Sequence, residues 1–162
     1  MDEPICTPRG HALLRRGRVS LSGHVYHVTF TTQDRTPVFA GFHAACAAAR
    51  SFSRPQPGFE LLAWVLMPDH AHCLLKLQPN VSLGGAVRGL KGRSSRAVNT
   101  ELSRSGALWA RAYHDRALRR EDDLRAVARY IAANPVRAGL VARLGDYPFW
   151  DAVWVDQSNG RG

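Results

Sequence analysis

Two histidines, His70 and His72, stand two residues apart directly after an apolar run that ends at Pro68. The run over 61–67 has the length of a buried strand, and the residues from His70 to Lys76 predict a second one. Because alternate residues of a strand point to the same face, both imidazoles project from one face and can converge on one divalent cation. The same spacing also arises by chance on half-buried strands, where each ring only makes a hydrogen bond.

A tyrosine and an asparagine four residues apart form the second candidate group. The stretch from Glu121 to Asn134 has the apolar spacing of an amphipathic helix, and Tyr130 and Asn134 lie on one flank of its apolar stripe. Pro135 predicts that this helix ends near Ala133 or Asn134 and that a short second helix follows. In a purely structural alternative, Tyr130 is an aromatic at the edge of the core and Asn134 is the N-cap of the second helix.

The remaining pattern predicts the elements that must position these residues. The predicted order is strand, helix, strand, strand, helix, strand, followed by the helix that bears Tyr130; this is a ferredoxin-like α+β order. The first six elements are expected at His24 to Thr32, around Phe42 to Phe52, on either side of Pro68, from about Leu83 to Ser103, and near Ala110 to Leu118. At 162 residues the chain is expected to form one domain, with residues 1–14 and 157–162 mobile.

The composition favours a polyanionic partner. Lys and Arg number 22 against 13 Asp and Glu, which gives a formal net charge of +9. Two basic groups are predicted to contact DNA phosphates: Arg9, Arg15, Arg16 and Arg18 near the N-terminus, and Arg88, Lys91, Arg93 and Arg96 on a predicted helix. An ordinary solvated helix face is the alternative for the second group. Trp109 and Tyr113 could stack on bases, but they are at least as well explained as core residues.

The cysteines and the hydropathy pattern set further expectations. Cys6, Cys46 and Cys73 form no CxxC pair, which favours a reducing, cytoplasmic compartment. Cys73 should point to the strand face opposite the two histidines, so a zinc site that combines them is not expected. No signal peptide and no run long enough to span a membrane is indicated.

Several segments, taken in order along residues 15–154, resemble the single-tyrosine HUH transposases of the insertion sequence 200-like type, and within them the REP-associated tyrosine transposases. The matching segments are Gly23 to Phe30, Asp34 to Phe39, His70-Ala71-His72, Leu90 to Arg93, Leu108 to Asp115, and Arg129 to Pro135. The chain departs from the family pattern at Ala71, where a bulkier apolar residue is usual, and at Ala110, where glutamine is frequent. Neither departure removes a group that the chemistry needs.

The resemblance implies an antiparallel sheet with helices on one face and the histidine pair on a central strand. It also implies a metal-dependent endonuclease and strand transferase that acts on single-stranded DNA at hairpin sites. Such a protein is expected in the cytoplasm, associated with the nucleoid. In that reading Tyr130 is the nucleophile, and His70 and His72 bind Mg²⁺ or Mn²⁺. Relatives supply a third ligand from the position of Asn134, where the shorter amide could bind the metal, orient a water or only cap a helix.

Two alternative functions and the oligomeric state stay open on the sequence alone. A domesticated regulator would bind DNA hairpins without cleaving them. An RNA-binding module would use exposed aromatic residues of a ferredoxin-like sheet, although the histidine pair argues against it. The family also contains monomers and homodimers, so either oligomeric state is compatible with this chain.

Overall fold

The computed structural model describes residues 24–118 and 124–154. These ranges contain one five-stranded antiparallel sheet with the strand order β4-β1-β3-β2-β5, which confirms the predicted α+β class. The strands are β1 (Val25–Thr31), β2 (Phe59–Leu66), β3 (His70–Leu77), β4 (His114–Ala117) and β5 (Trp150–Ala152). The helices are α1 (Phe42–Ser53), α2 (Leu83–Glu101), α3 (Leu124–Ala132) and α4 (Asn134–Arg137), with short 3₁₀ turns at Gln33–Arg35, Val38–Ala40 and Leu144–Asp146.

Strand β3 is the central strand, and it begins with the histidine pair. It pairs with β1 on one side and β2 on the other, so that Thr31 lies opposite His70 and Thr29 opposite His72. The turn from β2 into β3 is closed by a hydrogen bond from the Met67 N–H to the His70 carbonyl (2.8 Å). From Ala71 to Lys76 the strand is paired on both sides, which fixes the position of its backbone in the sheet.

One face of the sheet is covered by α1 and α2. Alternate residues of β3 that include Ala71, Cys73 and Leu75 belong to this buried cluster, together with Phe30 and Phe52. Cys73 is fully buried here, on the face opposite the histidines, as its position in the strand predicted. Trp109 also lies in this core, where its indole N–H donates to the Ser94 hydroxyl (2.9 Å).

The other face carries α3, the helix with Tyr130. Ala128 and Ile131 of α3 pack on Val65 and Leu74, in a second buried cluster. The expectation of helices on one face therefore holds for α1 and α2 but not for α3. The physical reason is that β2 is apolar on both faces and β3 adds Leu74 to the α3 face; a register shift in β2 between Leu61 and Ala63 adds one more apolar side chain there.

The junction between α3 and α4 follows the proline prediction. Helix α3 ends at Ala132, and α4 starts at Asn134 with Pro135 in its first turn. The predicted start at Glu121 lies outside the described residues. Strand β4 is shorter than the predicted segment from Ala110, and β5 has no counterpart among the predicted elements because its three residues give too little pattern.

Two expectations concern the chain ends and the membrane. The segments 1–14 and 157–162, expected to be mobile, fall outside the described residues. Within 24–118 and 124–154, no helix combines the length and the apolar character needed to cross a bilayer.

Replacing Ile131 with alanine should loosen the helix that carries Tyr130. Ile131 is 0% exposed between α3 and the sheet, so Ile131→Ala should lower the free energy of unfolding by about 2–4 kcal/mol through lost burial and a residual cavity. Urea denaturation measures the change. Val136→Ala is the matched control, since Val136 is 37% exposed, and it should change stability by less than about 1 kcal/mol. Equal losses in the two variants would contradict the packing of α3 described above.

Candidate functional site

His70 is held by a carboxylate that is itself held by an arginine. The His70 Nδ1 lies 2.6 Å from Asp69 Oδ1, and Arg35 Nη1 lies 3.4 Å from Asp69 Oδ2. Partial burial works against ionisation of Asp69, but the hydrogen bond and charge of His70 and the charge of Arg35 outweigh it and lower the pKa of this carboxyl. In the neutral tautomer whose Nδ1–H donates to Asp69, the ring is oriented and Nε2 keeps its lone pair free.

Arg35 belongs to a turn in an unusual conformation. Asp34 and Arg35 have φ values of 54° and 52°, in the left-handed region that non-glycine residues seldom adopt. Thr32 anchors the turn, because its N–H and its hydroxyl both donate to the Asp69 carbonyl (2.9 and 3.1 Å). The strained turn therefore sits directly beside the residue that orients His70.

His72 is oriented by two residues of the neighbouring strand. Its Nδ1 lies 3.0 Å from Thr29 Oγ1 and 3.2 Å from His27 Nε2. Sequence reasoning missed His27, although a signal was present: His27 and Thr29 alternate on β1 and so share the histidine face of the sheet. In the tautomer with the proton on Nδ1, His72 also keeps the Nε2 lone pair free.

The environment keeps His72 neutral. Burial lowers the pKa of His72 to about 3, assisted by the charges of His70, His27 and Arg137. Burial and the charge of Arg116 lower the pKa of His27 as well. A neutral imidazole is the form that binds metal, so the environment of His72 fits a ligand of a divalent cation.

The rest of a metal shell must come from other groups. Across residues 24–118 and 124–154, no cluster of three or more His, Cys, Asp or Glu is placed to hold a metal ion. The rings of His70 and His72 are 5.0 Å apart between centroids and nearly perpendicular. A cation bound by these two rings would therefore need ligands from an amide, from water or from a substrate phosphate.

Tyr130 lies on the same face of the sheet as the histidines. Its side chain is 59% exposed, and it lines a cleft of about 440 Å³ together with His27 and Arg116. Because His27 contacts His72, this cleft links the tyrosine to the histidine pair. The structural alternative, an aromatic at the edge of the core, is compatible with this exposure.

Arg137 is a second residue that sequence reasoning missed. Its guanidinium lies 3.8 Å from the centroid of the Tyr130 ring, and its Nη2 donates to the Tyr130 carbonyl (2.8 Å). The same charge contributes to the low pKa of His72. The positive charge of Arg137 therefore acts on both Tyr130 and His72. Arg137 is the last residue of the short helix α4, which directly follows the tyrosine helix, and this closeness in sequence was the available signal.

Asn134 takes a structural position. Its Nδ2 donates to the Ile131 carbonyl (2.9 Å) and so satisfies a carbonyl in the last turn of α3. The N-cap of α4 is Ala133, so Asn134 is not the N-cap that the structural alternative expected. The ligand role of Asn134 stays a prediction.

The second predicted basic group divides into two clefts on α2. Arg88 and Lys91 line a cleft of about 700 Å³ beside Trp109 and Arg111, where Lys91 Nζ donates to the carbonyls of Ala110 and Arg111. Arg93 and Arg96 line a different cleft on the other side of α2. Arg9, Arg15, Arg16 and Arg18 lie outside the described residues.

Comparison with known proteins gives consistent matches. The family model described as "Transposase IS200 like" matches residues 20–134. The REP-associated tyrosine transposase of Escherichia coli (strain K12) is 30% identical over 92 residues, which are 56% of this chain and 53% of the relative, so the match spans about half the relative's length.

Two further proteins match over more of their length. The putative REP-associated tyrosine transposase of Haemophilus influenzae (strain ATCC 51907 / DSM 11121 / KW20 / Rd) is 27% identical over 139 residues, 78% of each chain. A solved structure of a REP-associated tyrosine transposase bound to a REP hairpin aligns with a TM-score of 0.64 and 26% identity, over 82% of this chain and 79% of that one.

The half-buried, neutral His72 should make stability depend on pH in the metal-free protein. Its folded pKa of about 3 lies below the ordinary 6.5, so the unfolded chain binds the extra proton between these values and stability falls as pH falls through this window. The difference in unfolding free energy between wild type and His72→Gln should shrink by up to about 1.4 kcal/mol per pH unit. Urea denaturation in EDTA at pH 4–7 measures it; a pH-independent difference would contradict the buried neutral ring.

Proposed function

This chain belongs to the IS200-like transposase family, and we propose that it is a metal-dependent endonuclease and strand transferase for single-stranded DNA at hairpin sites of the REP type. The observation that carries the proposal is the exposed Tyr130 on the same sheet face as His70 and His72, in a cleft that His27 joins to the histidine pair. The relative whose structure was solved with a REP hairpin supports the choice of substrate.

In this proposal Tyr130 supplies the nucleophile. The bond from its Oη to phosphorus forms while the bond from phosphorus to the 3′-oxygen breaks; the phenol proton passes to solvent, and the 3′-oxygen takes a proton from water. The products are a 5′-phosphotyrosine and a free 3′-hydroxyl. Because one phosphodiester replaces another, a 3′-hydroxyl can later attack the adduct and rejoin the strand without ATP.

His70 and His72 would hold the divalent cation, with Mg²⁺ and Mn²⁺ as the candidates. When bound, such a cation supplies positive charge to the scissile phosphate. Asp69 and Thr29 fix the two rings through Nδ1, which leaves both Nε2 atoms available. The low pKa of His72 keeps that ring in its ligand form.

Arg137 would serve the reaction from the tyrosine side. Its contact with the Tyr130 ring restricts where the phenol can lie, and its guanidinium brings a fixed positive charge next to the nucleophile. A charge held in place before the reaction favours a phosphoryl transition state, because no reorganisation is needed when negative charge develops.

Loss of the phenol oxygen should abolish the covalent product and spare DNA binding. Wild type, Tyr130→Phe and His70→Ala are incubated with Mn²⁺ and labelled single-stranded hairpins from the DNA that flanks the gene, and separated on a denaturing gel. Wild type alone should give a protein–DNA band, since Phe lacks the nucleophile and Ala lacks the ligand. Hairpin affinity of the variants, measured by fluorescence anisotropy, should stay within about threefold of wild type.

The outcomes separate the candidate functions. An adduct with Tyr130→Phe equal to that of wild type would refute the assignment of the nucleophile. If wild type and variants all bind hairpins and none forms an adduct, the protein acts as a hairpin-binding regulator. Competition with RNA of matched sequence tests the RNA-binding alternative in the same assay.

Removing the charge of Arg137 should slow adduct formation more than it weakens binding. Arg137→Gln should reduce the single-turnover rate on the order of 100-fold, the size expected when one fixed donor to a transition state is lost. Arg137→Lys should recover part of the rate, because it keeps the charge but not the planar contact. Arg143→Gln, at an arginine that pairs with Asp146, is the matched control and should leave the rate unchanged. Equal rates for Arg137→Gln and the control would contradict this role.

A further inference from the structure

Four arginines from two helices meet in one cleft. Arg50 of α1 and Arg54, the C-cap of α1, face Arg93 and Arg96 of α2 across an opening of about 490 Å³. The two pairs are about forty residues apart in sequence, so the grouping is a product of the fold. We refer to this opening as the arginine cleft.

Two glycines of α2 lie beside arginines of the cleft, and one of them, Gly89, leaves the space that an arginine occupies. A Cβ atom at Gly89 would lie 2.9 Å from Arg93 Nη1, which is too close for a real contact, and one at Gly92 would lie 3.8 Å from Arg96 Nη1. Each arginine is four residues after its glycine, as expected when long side chains fold back toward the helix N-terminus. Glycine within a helix costs about 1 kcal/mol relative to alanine. The Arg93 guanidinium occupies the space beside Gly89, whereas a Cβ atom at Gly92 would make only an ordinary contact with Arg96.

The charges in the cleft are only partly compensated. Arg93 donates through Nε and Nη2 to Gln56 Oε1 (2.9 and 2.6 Å), a neutral acceptor. The carboxylate that lines the cleft is Glu101, which lies 3.7 Å from Arg50 and 3.7 Å from His43. Burial and the charge of Arg96 lower the pKa of Arg93, a sign that like charges are held close together. A polyanion would relieve this repulsion.

The arginine cleft is remote from the proposed cleavage site. Gln56, which lines the arginine cleft, forms a β-bridge with Phe59, the first residue of β2. The histidine pair lies at the opposite end of β2, because it follows the turn after Leu66, the last residue of that strand. An eight-residue strand spans about 25 Å. The helices α1 and α2 also cover the sheet face opposite the histidines. DNA in this cleft would therefore not be the scissile segment.

The lining favours a backbone over unpaired bases. Besides the arginines it consists of small, polar and proline side chains, and no aromatic residue is among those that line the described cleft. Unpaired bases are usually bound by stacking on aromatic rings, whereas duplex DNA offers its phosphates and hides its bases. The chemistry fits a paired segment of DNA.

We propose that the arginine cleft is a second DNA site, which binds the phosphate backbone of a paired hairpin stem at a distance from the cleaved strand. This inference rests on the proposed function for its choice of polyanion. Arg50, Arg54 and Arg96 contact the phosphates. Arg93, through Gln56, holds α2 to the C-terminal end of α1, because Gln56 Nε2 donates to the carbonyls of Ser51 and Arg54 (2.9 and 2.8 Å).

The test measures the salt dependence of binding to a blunt hairpin and to an unpaired oligonucleotide of equal length. The variant is Arg50→Gln with Arg54→Gln, at two exposed side chains whose loss leaves the Arg93 contacts intact. Its charge-matched control is Arg104→Gln with Arg143→Gln, two arginines outside the arginine cleft. A single Arg96→Gln variant tests the contribution of α2 to the salt dependence independently. Thermal unfolding checks that all variants are folded.

The variant should bind the hairpin more weakly, and the slope of log Kd against log salt should fall by about 1.8, or about 0.9 for each lost phosphate contact. Arg96→Gln should lower the slope by about 0.9, whereas the control pair and the unpaired oligonucleotide should show no change in slope. Equal losses in variant and control, an unchanged slope, or a loss confined to the unpaired oligonucleotide would overturn the proposal. Adduct formation on a short unpaired substrate reports separately on the proposed function and should stay within about twofold.

Discussion

The rest of the structure depends on the alternation of side chains along the central strand β3. Ala71, Cys73 and Leu75 are fully buried under α1 and α2, so the registers that bury them send His70 and His72 to the other face. A shift of one residue would bury both imidazoles and expose the core. The same strand carries Leu74, which packs against α3. One strand therefore fixes the positions of the histidines and also contacts the helix that bears Tyr130.

Electrostatics then set what this face can do. His72 stays neutral in its buried position, while Asp69 is ionised and fixes His70. Arg137 stacks on the Tyr130 ring, and its positive charge, which lowers the pKa of His72, would also attract a phosphate. A neutral His72 beside the positive charge of Arg137 is the arrangement that the proposed cation and phosphodiester would need. The opposite face gathers arginines instead, in the arginine cleft.

Local patterns predicted most of the fold, because strand alternation, apolar runs and prolines act within a few residues. The strands around Pro68 and the break before Pro135 followed from such signals. Local patterns did not predict the contacts between distant segments. His27, for example, contacts His72 only because β1 pairs with β3. The linear group of basic residues on α2 likewise divided into two clefts, since its members point to different sides of the helix and meet partners far away in sequence.

The central claim is that Tyr130 and the histidine pair form one reaction site, and mass spectrometry of the protein after reaction tests it most directly. Wild-type protein is incubated with Mn²⁺ and a hairpin substrate, the DNA is trimmed with nuclease, and tryptic peptides are fragmented to find the modified residue. The account predicts a 5′-phosphonucleotide on Tyr130 alone. Modification of another tyrosine, such as Tyr113 or Tyr147, or cleaved DNA without any modified peptide, would contradict it.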